Sequence, residues 1–174
     1  MIRDVLRYPD RRLKTPAVPL RGIGPEARRL AVDLVDTARH YPRTVGIAAP
    51  QVGALWRMVY IDCTGHRSVP DPAGPIVMVN PLIVRRDGSE IGREGCLSLP
   101  DITANVARAT DVTVRYRTID GDETELTTSG FEARVVLHEI DHLDGVLILD
   151  RVASLTLDVF PRKERSRTKG SGRP

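Results

Sequence analysis

Residues 129–145 have the sequence SGFEARVVLHEIDHLDG, and this stretch predicts a helix at the centre of the fold. Ser129 and Glu132 match a capping box at its start, and Gly145 is a natural C-terminal stop. Apolar residues lie on most sides of the helix between these ends. Because a buried polar group costs free energy unless it is paired, each polar residue within this helix is expected to have a specific partner or a function.

The most informative polar residues in this helix form an H-E-x-x-H motif. His138 and His142 are four positions apart, so both imidazoles lie on one helix face and can reach one metal ion. Glu139 lies beside them, where it can contact a bound water. The alternative is a pair of core histidines without a metal, but a capped and otherwise apolar helix is an unusual place for that pair. The motif predicts a mononuclear metal-dependent hydrolase.

The third metal ligand is expected upstream of the helix. A catalytic site normally has three protein ligands and one open position for water. In a longer motif with a third histidine, that histidine would fall at position 148, which is Ile148 here. The only Glu after His142 is Glu164, in a strongly basic segment. The best candidate is therefore Cys96, in the segment EGCLSLP at 94–100, because thiolate binds borderline divalent metals strongly.

Three other residues with metal-binding side chains are predicted to have no role at this site. Cys63 follows an apolar stretch and is interpreted as a small buried thiol. His40 ends the first predicted helix, and His66 lies in a polar loop. Both histidines are expected at the surface.

Composition and charge predict one catalytic domain at 1–160 and a basic, disordered tail at 161–174. Of the 26 basic and 23 acidic residues, the tail holds six and one, so residues 1–160 carry 20 and 22. The basic character therefore belongs to the tail, and no DNA-binding body is expected. The tail is either a solvated end or a contact with ribosomal RNA. Two cysteines and no long apolar run predict a cytoplasmic protein without a membrane segment.

The remaining pattern predicts an α+β fold. A helix begins at Pro25 and ends before Pro42. Further strands are expected, and Pro81 implies an edge or irregular position in one of them. Their predicted ranges are 56–62, 76–84, 111–119 and a partner near 125–127.

Three separated segments together resemble the peptide deformylase family. They are GIAAPQ at 46–51, EGCLS at 94–98 and HEIDH at 138–142. Their order and spacing also match, and the resemblance covers about residues 1–160. It implies a fold in which mixed and antiparallel sheets surround the HExxH helix. It also implies removal of the formyl group from N-formylmethionine at the start of new polypeptides, with Fe(II) as the usual metal and Zn, Ni or Co able to substitute.

The resemblance also implies roles for individual residues. Glu139 is the general acid and base for a metal-activated water. The side-chain amide of Gln51 and the backbone N–H of Leu97 stabilise the oxyanion. Gly46 and Ile47 form a floor for an extended N-formylmethionyl nascent peptide. Glu94 either orients a ligand or is a structural carboxylate, and both interpretations stay open.

The chain departs from the family pattern at two positions. Thr44 stands where the first motif usually begins with Gly, and Leu137 stands where Gln commonly precedes the first metal histidine. Neither change removes a ligand or the base. Thr44 is expected to reshape the pocket and so to affect substrate preference.

Three other functions compete with this one. A metallopeptidase shares the HExxH motif but lacks its usual third ligand here. A deformylase-like enzyme acting on another formamide is a closer alternative. A metal-stabilised module that binds RNA through its tail would need four protein ligands, and no fourth Cys or His has a suitable spacing.

The motif generates a direct test at Glu139. Glu139→Gln is expected to retain the metal but to lower turnover of formyl-Met peptides roughly 100-fold to 10,000-fold, because an amide cannot accept the proton. Metal content and the rate of formate release measure the two properties separately. A near wild-type rate in this variant would exclude Glu139 as the base.

Overall fold

The structure, a computed structural model, describes residues 1–162. Three α-helices and eight strands are present in this part of the chain, together with two 3₁₀ turns at Arg11–Lys14 and Ala49–Val52. In chain order they are α1 Pro25–His40, β1 Gly46–Ala48, β2 Met58–Ile61, β3 Ile76–Asp87, β4 Glu90–Cys96, β5 Leu99–Arg108, β6 Asp111–Arg117, β7 Glu123–Ser129, α2 Gly130–Leu143, α3 Ile148–Arg151 and β8 Val159–Pro161.

The strands form two antiparallel sheets. The larger sheet has the order β1-β2-β3-β6-β7, and the smaller has the order β4-β5-β8. Parallel pairing among the described residues is limited to one bridge between Val18 and Trp56. The predicted α+β class is therefore confirmed, with antiparallel sheets.

The larger sheet lies between the two long helices. Successive residues of a strand point to opposite faces, and all four residues of β2 are buried. Val59 and Ile61 pack in one apolar cluster with residues of α2, whereas Met58 and Tyr60 pack in another with residues of α1. A strand covered on both faces reads as a continuous apolar run, which explains the uninterrupted sequence MVYI.

Helix α2 lies where the sequence predicts it, but its N-terminal cap is different. Ser129 is the N-cap residue and makes no side-chain capping bond. The carboxylate of Glu132 instead accepts hydrogen bonds from the Thr128 hydroxyl at 2.7 Å and from the Ala73 backbone N–H at 3.1 Å. The predicted capping box is therefore wrong, because Glu132 tethers α2 to β7 and to the loop before β3.

The end of α2 follows the prediction. Asp144 is the C-cap, and Gly145 has a φ of 71°, which favours glycine. A Cβ on Gly145 would also lie 2.8 Å from the Lys14 carbonyl oxygen. Only glycine fits both the backbone conformation and the close approach of the N-terminal segment.

Pro81 lies inside the larger sheet rather than at its edge. Strand β3 has β2 on one side and β6 on the other, so the edge interpretation is wrong. The irregular interpretation is confirmed, because the register with β6 shifts between Val79 and Leu82. Asn80 has a φ of 52° there, and its side chain bonds both backbone groups of Leu20. The backbone N–H that proline lacks is therefore missing at a position where the hydrogen bonding between β3 and β6 is already interrupted.

The smaller sheet differs from the prediction. The β4–β5 hairpin and β8 were not predicted. Strand β8 includes Pro161, and the Arg162 N–H donates to the Asp101 carbonyl at 2.7 Å. Backbone pairing with β5 thus holds two residues past the predicted boundary at 160. The rest of the predicted tail lies outside the described residues. None of the helices in the described part is long and apolar enough to cross a membrane.

These contacts predict a measurable difference between two truncations. A chain ending at Phe160 should have a free energy of unfolding about 1 kcal/mol lower than a chain ending at Arg162, because it loses backbone hydrogen bonds to β5. Urea denaturation of the two proteins measures the difference. Equal stabilities would show that the contacts of Pro161 and Arg162 contribute nothing to the fold.

Candidate active site

Helix α2 and the end of strand β4 bring three potential metal ligands together. Ligand atoms of Cys96, His138 and His142 all lie within 4.8 Å of one another, and among the described residues no other such group of three occurs. The Cys96 Sγ lies 3.2 Å from the His142 Nε2. The two imidazole rings are 5.0 Å apart between centroids, as expected for positions i and i+4 of one helix.

The chemistry of these donors fits a divalent metal ion. Burial alone would raise the pKa of the Cys96 thiol, but the neighbouring His142 and His138 lower it well below its usual value. His142 is only 2% exposed. One thiolate and two imidazoles form a set that suits zinc, iron, cobalt or nickel.

Glu94 orients one of the histidines. Its Oε2 lies 2.8 Å from the His138 Nδ1, which leaves Nε2 as the ligand atom of that ring. The carboxylate also accepts bonds from Arg108 at 2.9 and 3.0 Å and from Arg134 at 2.9 Å. Burial would raise the pKa of Glu94, yet His138 and Arg108 lower it to about 2. The contact with His138 supports the orienting interpretation of Glu94 over a purely structural one.

The arginines around Glu94 were missed by the sequence analysis. Arg108 also pairs with Asp141 of the HExxH segment, and Asp141 in turn pairs with Arg151. Arg134 donates to the carbonyl groups of Val106 and Glu90, each at 2.8 Å. A signal for Arg134 was present, because positions 134, 138 and 142 recur every four residues and share one face of the helix.

Glu139 is buried beside the ligands without a hydrogen-bond partner for one of its oxygens. It is 4% exposed, and its Oε2 has no partner among the described residues. Burial raises the pKa of Glu139 to about 7, although His138 and His142 act in the opposite direction. A carboxylate with such a pKa can both accept and release a proton near neutral pH.

Gly46 makes room for Glu139. A Cβ at Gly46 would lie 2.5 Å from the Glu139 Oε1 and 2.9 Å from its Cδ, closer than carbon atoms approach in folded proteins. Gly46 begins β1, which is paired with β2, so its backbone cannot easily move away. The glycine of the GIAAPQ segment therefore allows the Glu139 carboxylate to lie directly against the backbone.

Gln51 is held against Cys96, one of the three potential ligands. Its Oε1 accepts from the Ala48 N–H at 2.9 Å, which fixes the direction of its amide. Its Nε2 donates to the Ser98 hydroxyl at 3.2 Å and lies 3.6 Å from the Cys96 Sγ. The amide N–H groups of Gln51 thus point toward the cluster of ligands.

A cavity of about 450 Å³ opens onto this cluster. Its walls include the predicted site residues Gly46, Gln51, Cys96, Leu97, His138 and Glu139. Ile47 does not belong to the wall. Its side chain is fully buried in the apolar cluster beneath α1. Successive side chains of a strand point to opposite faces, so the Ile47 side chain points away from the face on which Gly46 meets Glu139. Ile47 can therefore offer substrate only its backbone, and its part in the floor for the peptide stays a prediction.

The other candidate ligands lie away from the three-ligand cluster. Cys63 is fully buried, and burial raises the pKa of its thiol to about 12. His40 is exposed, as predicted. His66 is partly buried, contrary to its predicted surface position, because its ring stacks on Phe131 with centroids 4.0 Å apart.

Comparisons with known proteins agree with this geometry. The family model described as polypeptide deformylase matches residues 2–158. The chain belongs to the polypeptide deformylase family. A peptide deformylase from Acidobacterium capsulatum is 40% identical over 165 residues, which is 95% of each protein. The members of this family are enzymes, and the resemblance inferred from the three segments is confirmed.

Solved deformylase structures have the same fold. The crystal structure of peptide deformylase from Thermotoga maritima matches with a TM-score of 0.80 and 33% identity, covering 88% of this chain and 99% of that one. A Met-Ala-Ser-bound peptide deformylase from Acinetobacter baumannii matches with a TM-score of 0.78 and 34% identity. That match covers 87% of this chain and 99% of the other.

The two departures from the deformylase pattern have different positions in the site. Thr44 lines the cavity, and its buried hydroxyl has no hydrogen-bond partner among the described residues. Leu137 instead packs in the apolar cluster between α2 and the larger sheet. Only Thr44 is therefore placed to contact a substrate.

The contact between Gly46 and Glu139 generates a prediction for this deformylase-family protein. Gly46→Ala should lower kcat about 100-fold, because a displacement of the base by about 1 Å is enough for a loss of that size. Gly22→Ala is the matched control, since a Cβ there meets nothing within 4 Å. Both variants should bind metal. Unchanged kcat in Gly46→Ala would show that the position of Glu139 is not critical.

Proposed function

We propose that this protein hydrolyses the N-formyl group of peptides that begin with N-formylmethionine, releasing formate and a free amino terminus. The observation that carries the proposal is the partnerless oxygen of Glu139, buried beside the Cys96, His138 and His142 cluster at the end of a cavity. Membership of the polypeptide deformylase family supports this reaction. The Met-Ala-Ser peptide bound to the Acinetobacter enzyme supports a peptide beginning with methionine as the ligand.

Cys96, His138 and His142 are proposed to hold one Fe(II) ion, with zinc, nickel or cobalt able to substitute. A divalent ion bound there supplies a Lewis acid that polarises the formyl carbonyl and lowers the pKa of water. Glu94 holds His138 in the orientation needed for this role through its bond to Nδ1.

Glu139 is proposed to move the proton. Its Oε2 would accept a proton from the attacking water and then deliver it to the nitrogen of the departing amine. A pKa of about 7 suits both steps, because the donor and acceptor forms are then both populated at neutral pH. Burial also keeps bulk water from competing for this carboxylate.

Gln51 and Leu97 are proposed to stabilise the oxyanion that forms at the formyl oxygen. Both lie in the cavity wall next to Cys96. The bond from the Ala48 N–H holds the Gln51 amide in place before substrate binds, so little reorganisation is needed during the reaction. The backbone N–H of Leu97 would be the second neutral donor.

The geometry favours this function over the alternatives. A structural metal site has four protein ligands, whereas the cluster found within residues 1–162 has three and faces a cavity. That arrangement argues against a module that only binds RNA. A metallopeptidase would share Glu139 and the histidines, so the substrate must separate it from a deformylase.

We propose nascent N-formylmethionyl chains in the cytoplasm as the substrates. A contact between the basic tail and the ribosome stays a prediction, because residues 163–174 lie outside the described part of the chain. The position of Thr44 in the cavity wall makes it the residue expected to modify preference for the first side chain.

The proposed reaction can be tested with three matched peptides. The iron-loaded protein should release one formate from each formyl-Met-Ala-Ser, and it should leave acetyl-Met-Ala-Ser and unblocked Met-Ala-Ser intact. Formate and peptide products are measured by enzymatic assay and mass spectrometry. Cleavage of a peptide bond in any of the three peptides would instead indicate a peptidase. Cleavage of other formamides at a higher kcat/KM would indicate a different substrate class.

The two thiols generate a further prediction. Dilute peroxide should inactivate the iron form quickly, because Fe(II) itself reacts with peroxide next to the Cys96 thiolate, which is then oxidised to sulfenic acid and beyond. The nickel form should persist, because Ni(II) undergoes far less of this chemistry. Mass spectrometry should find the modification on Cys96. Cys63 should stay unmodified, since burial raises its pKa to about 12. Complete inactivation with Cys96 intact and the metal retained would contradict thiolate ligation.

A further inference from the structure

The outer face of β4 forms part of the wall of the cavity. Along this strand the exposed residues alternate with the buried ones, as in any strand with one covered face. Glu94 and Cys96 point inward to the metal cluster, whereas Arg93 and Gly95 are exposed. Leu97 follows and also lines the cavity. A peptide entering the cavity along β4 therefore meets the outer face of this strand.

The guanidinium of Arg162 fills the space above Gly95. A Cβ on Gly95 would overlap the Nη2 of Arg162 and lie 3.2 Å from its Cζ. The backbone of Arg162 is fixed by its bond to the Asp101 carbonyl, just after β8 pairs with β5. Arg162 also lines the cavity. The positive charge of Arg162 is therefore held over Gly95, the residue next to Cys96.

Arg93 places a second charge beside the first. Its guanidinium stacks on the Phe160 ring, 3.5 Å from the centroid, and donates to Asn105 at 3.0 Å and to Thr103 at 3.1 Å. All three partners are uncharged, so the positive charge is positioned without being neutralised.

The carboxylates of the cavity do not neutralise these arginines. Glu94 is paired with Arg108, Arg134 and His138 on the inner side of β4. Glu139 lies against Gly46. Within residues 1–162, no carboxylate forms a salt bridge with Arg93 or Arg162. This part of the cavity wall is therefore a site for a negative charge.

We propose that Arg162 binds a carboxylate of the peptide substrate, on the first or second residue after the formylmethionine. This inference rests on the proposed function. An extended peptide advances about 3.4 Å per residue, so a chain whose formyl group lies at Cys96 passes Gly95 within its first few residues. The planar guanidinium can donate two parallel hydrogen bonds to a carboxylate, which a neutral side chain cannot match. Arg162 is thus a specificity-determining residue for acidic peptides.

The expected preference is modest, because Arg162 is exposed to solvent. Because exposed ion pairs contribute little free energy, we expect kcat/KM to be about 1.5- to 5-fold higher for an acidic peptide than for an isosteric neutral peptide. Salt should reduce this ratio, because it screens charges at the surface.

The test compares formyl-Met-Ala-Glu-amide with formyl-Met-Ala-Gln-amide. A second pair of peptides has Glu or Gln placed directly after Met. Amidation removes the terminal carboxylate, so the side chain is the only difference. The wild-type protein should prefer the Glu peptide in at least one pair. In Arg162→Gln the ratio should fall to about 1, whereas Arg162→Lys should keep part of it. Arg86→Gln removes an exposed charge outside the cavity wall and should keep the full ratio.

Two kinds of result would overturn the proposal. One is a wild-type ratio near 1 in both peptide pairs, and the other is a preference that Arg162→Gln retains. If circular dichroism shows that Arg162→Gln is poorly folded, Arg162→Lys and the salt dependence of the wild-type ratio test the proposal instead. A wild-type ratio that 0.5 M salt does not reduce would also overturn the proposal. Formate release from both peptides at equal rates would leave the proposed function intact. No formate release from any peptide would mean that the proposed function has failed.

Discussion

The buried carboxylate of Glu94 joins the parts of the molecule that build the site. It comes from β4 and pairs with Arg108 from β5, and with Arg134 and His138 from α2. A charge buried without partners would be strongly unfavourable, so the carboxylate is tolerated only when all of these elements are in place. The smaller sheet and the central helix are therefore held in one relative position.

That position determines where the three potential metal ligands lie. Cys96 follows Glu94 by two residues, so alternation along β4 turns both side chains inward. His138 is bonded to Glu94 directly, and His142 lies one helical turn further along α2. Asp141, which lies between the two histidines in sequence, pairs with Arg108 and extends the same charge network to Arg151. One set of ion pairs thus aligns a strand, a helix and three ligands from both.

The two faces of β4 have opposite chemistry. On the inner face, burial leaves Glu139 without a partner for one oxygen and suited to carry a proton. On the outer face, Arg93 and Arg162 are positioned by an aromatic ring and by backbone pairing rather than by carboxylates. At Gly46 the backbone lies directly against the Glu139 side chain, and at Gly95 it lies directly against the Arg162 guanidinium. Neither glycine has a side chain that would keep these groups apart from the backbone. The cavity wall therefore combines a buried carboxylate with two exposed guanidinium groups.

Local sequence determined the parts of this protein that depend on short-range periodicity. The spacing of His138, Glu139 and His142 on an apolar helix predicted the metal and the base, and elimination of downstream ligands pointed to Cys96. Tertiary structure alone decided what surrounds them. The pairing of Glu94 with Arg108 and Arg134, the contact of Gly46 with Glu139 and the position of Arg162 over Gly95 join residues 14 to 93 positions apart. Residues so far apart in sequence meet only when the strands pair and the sheets pack against the helix, and no local pattern encodes that meeting.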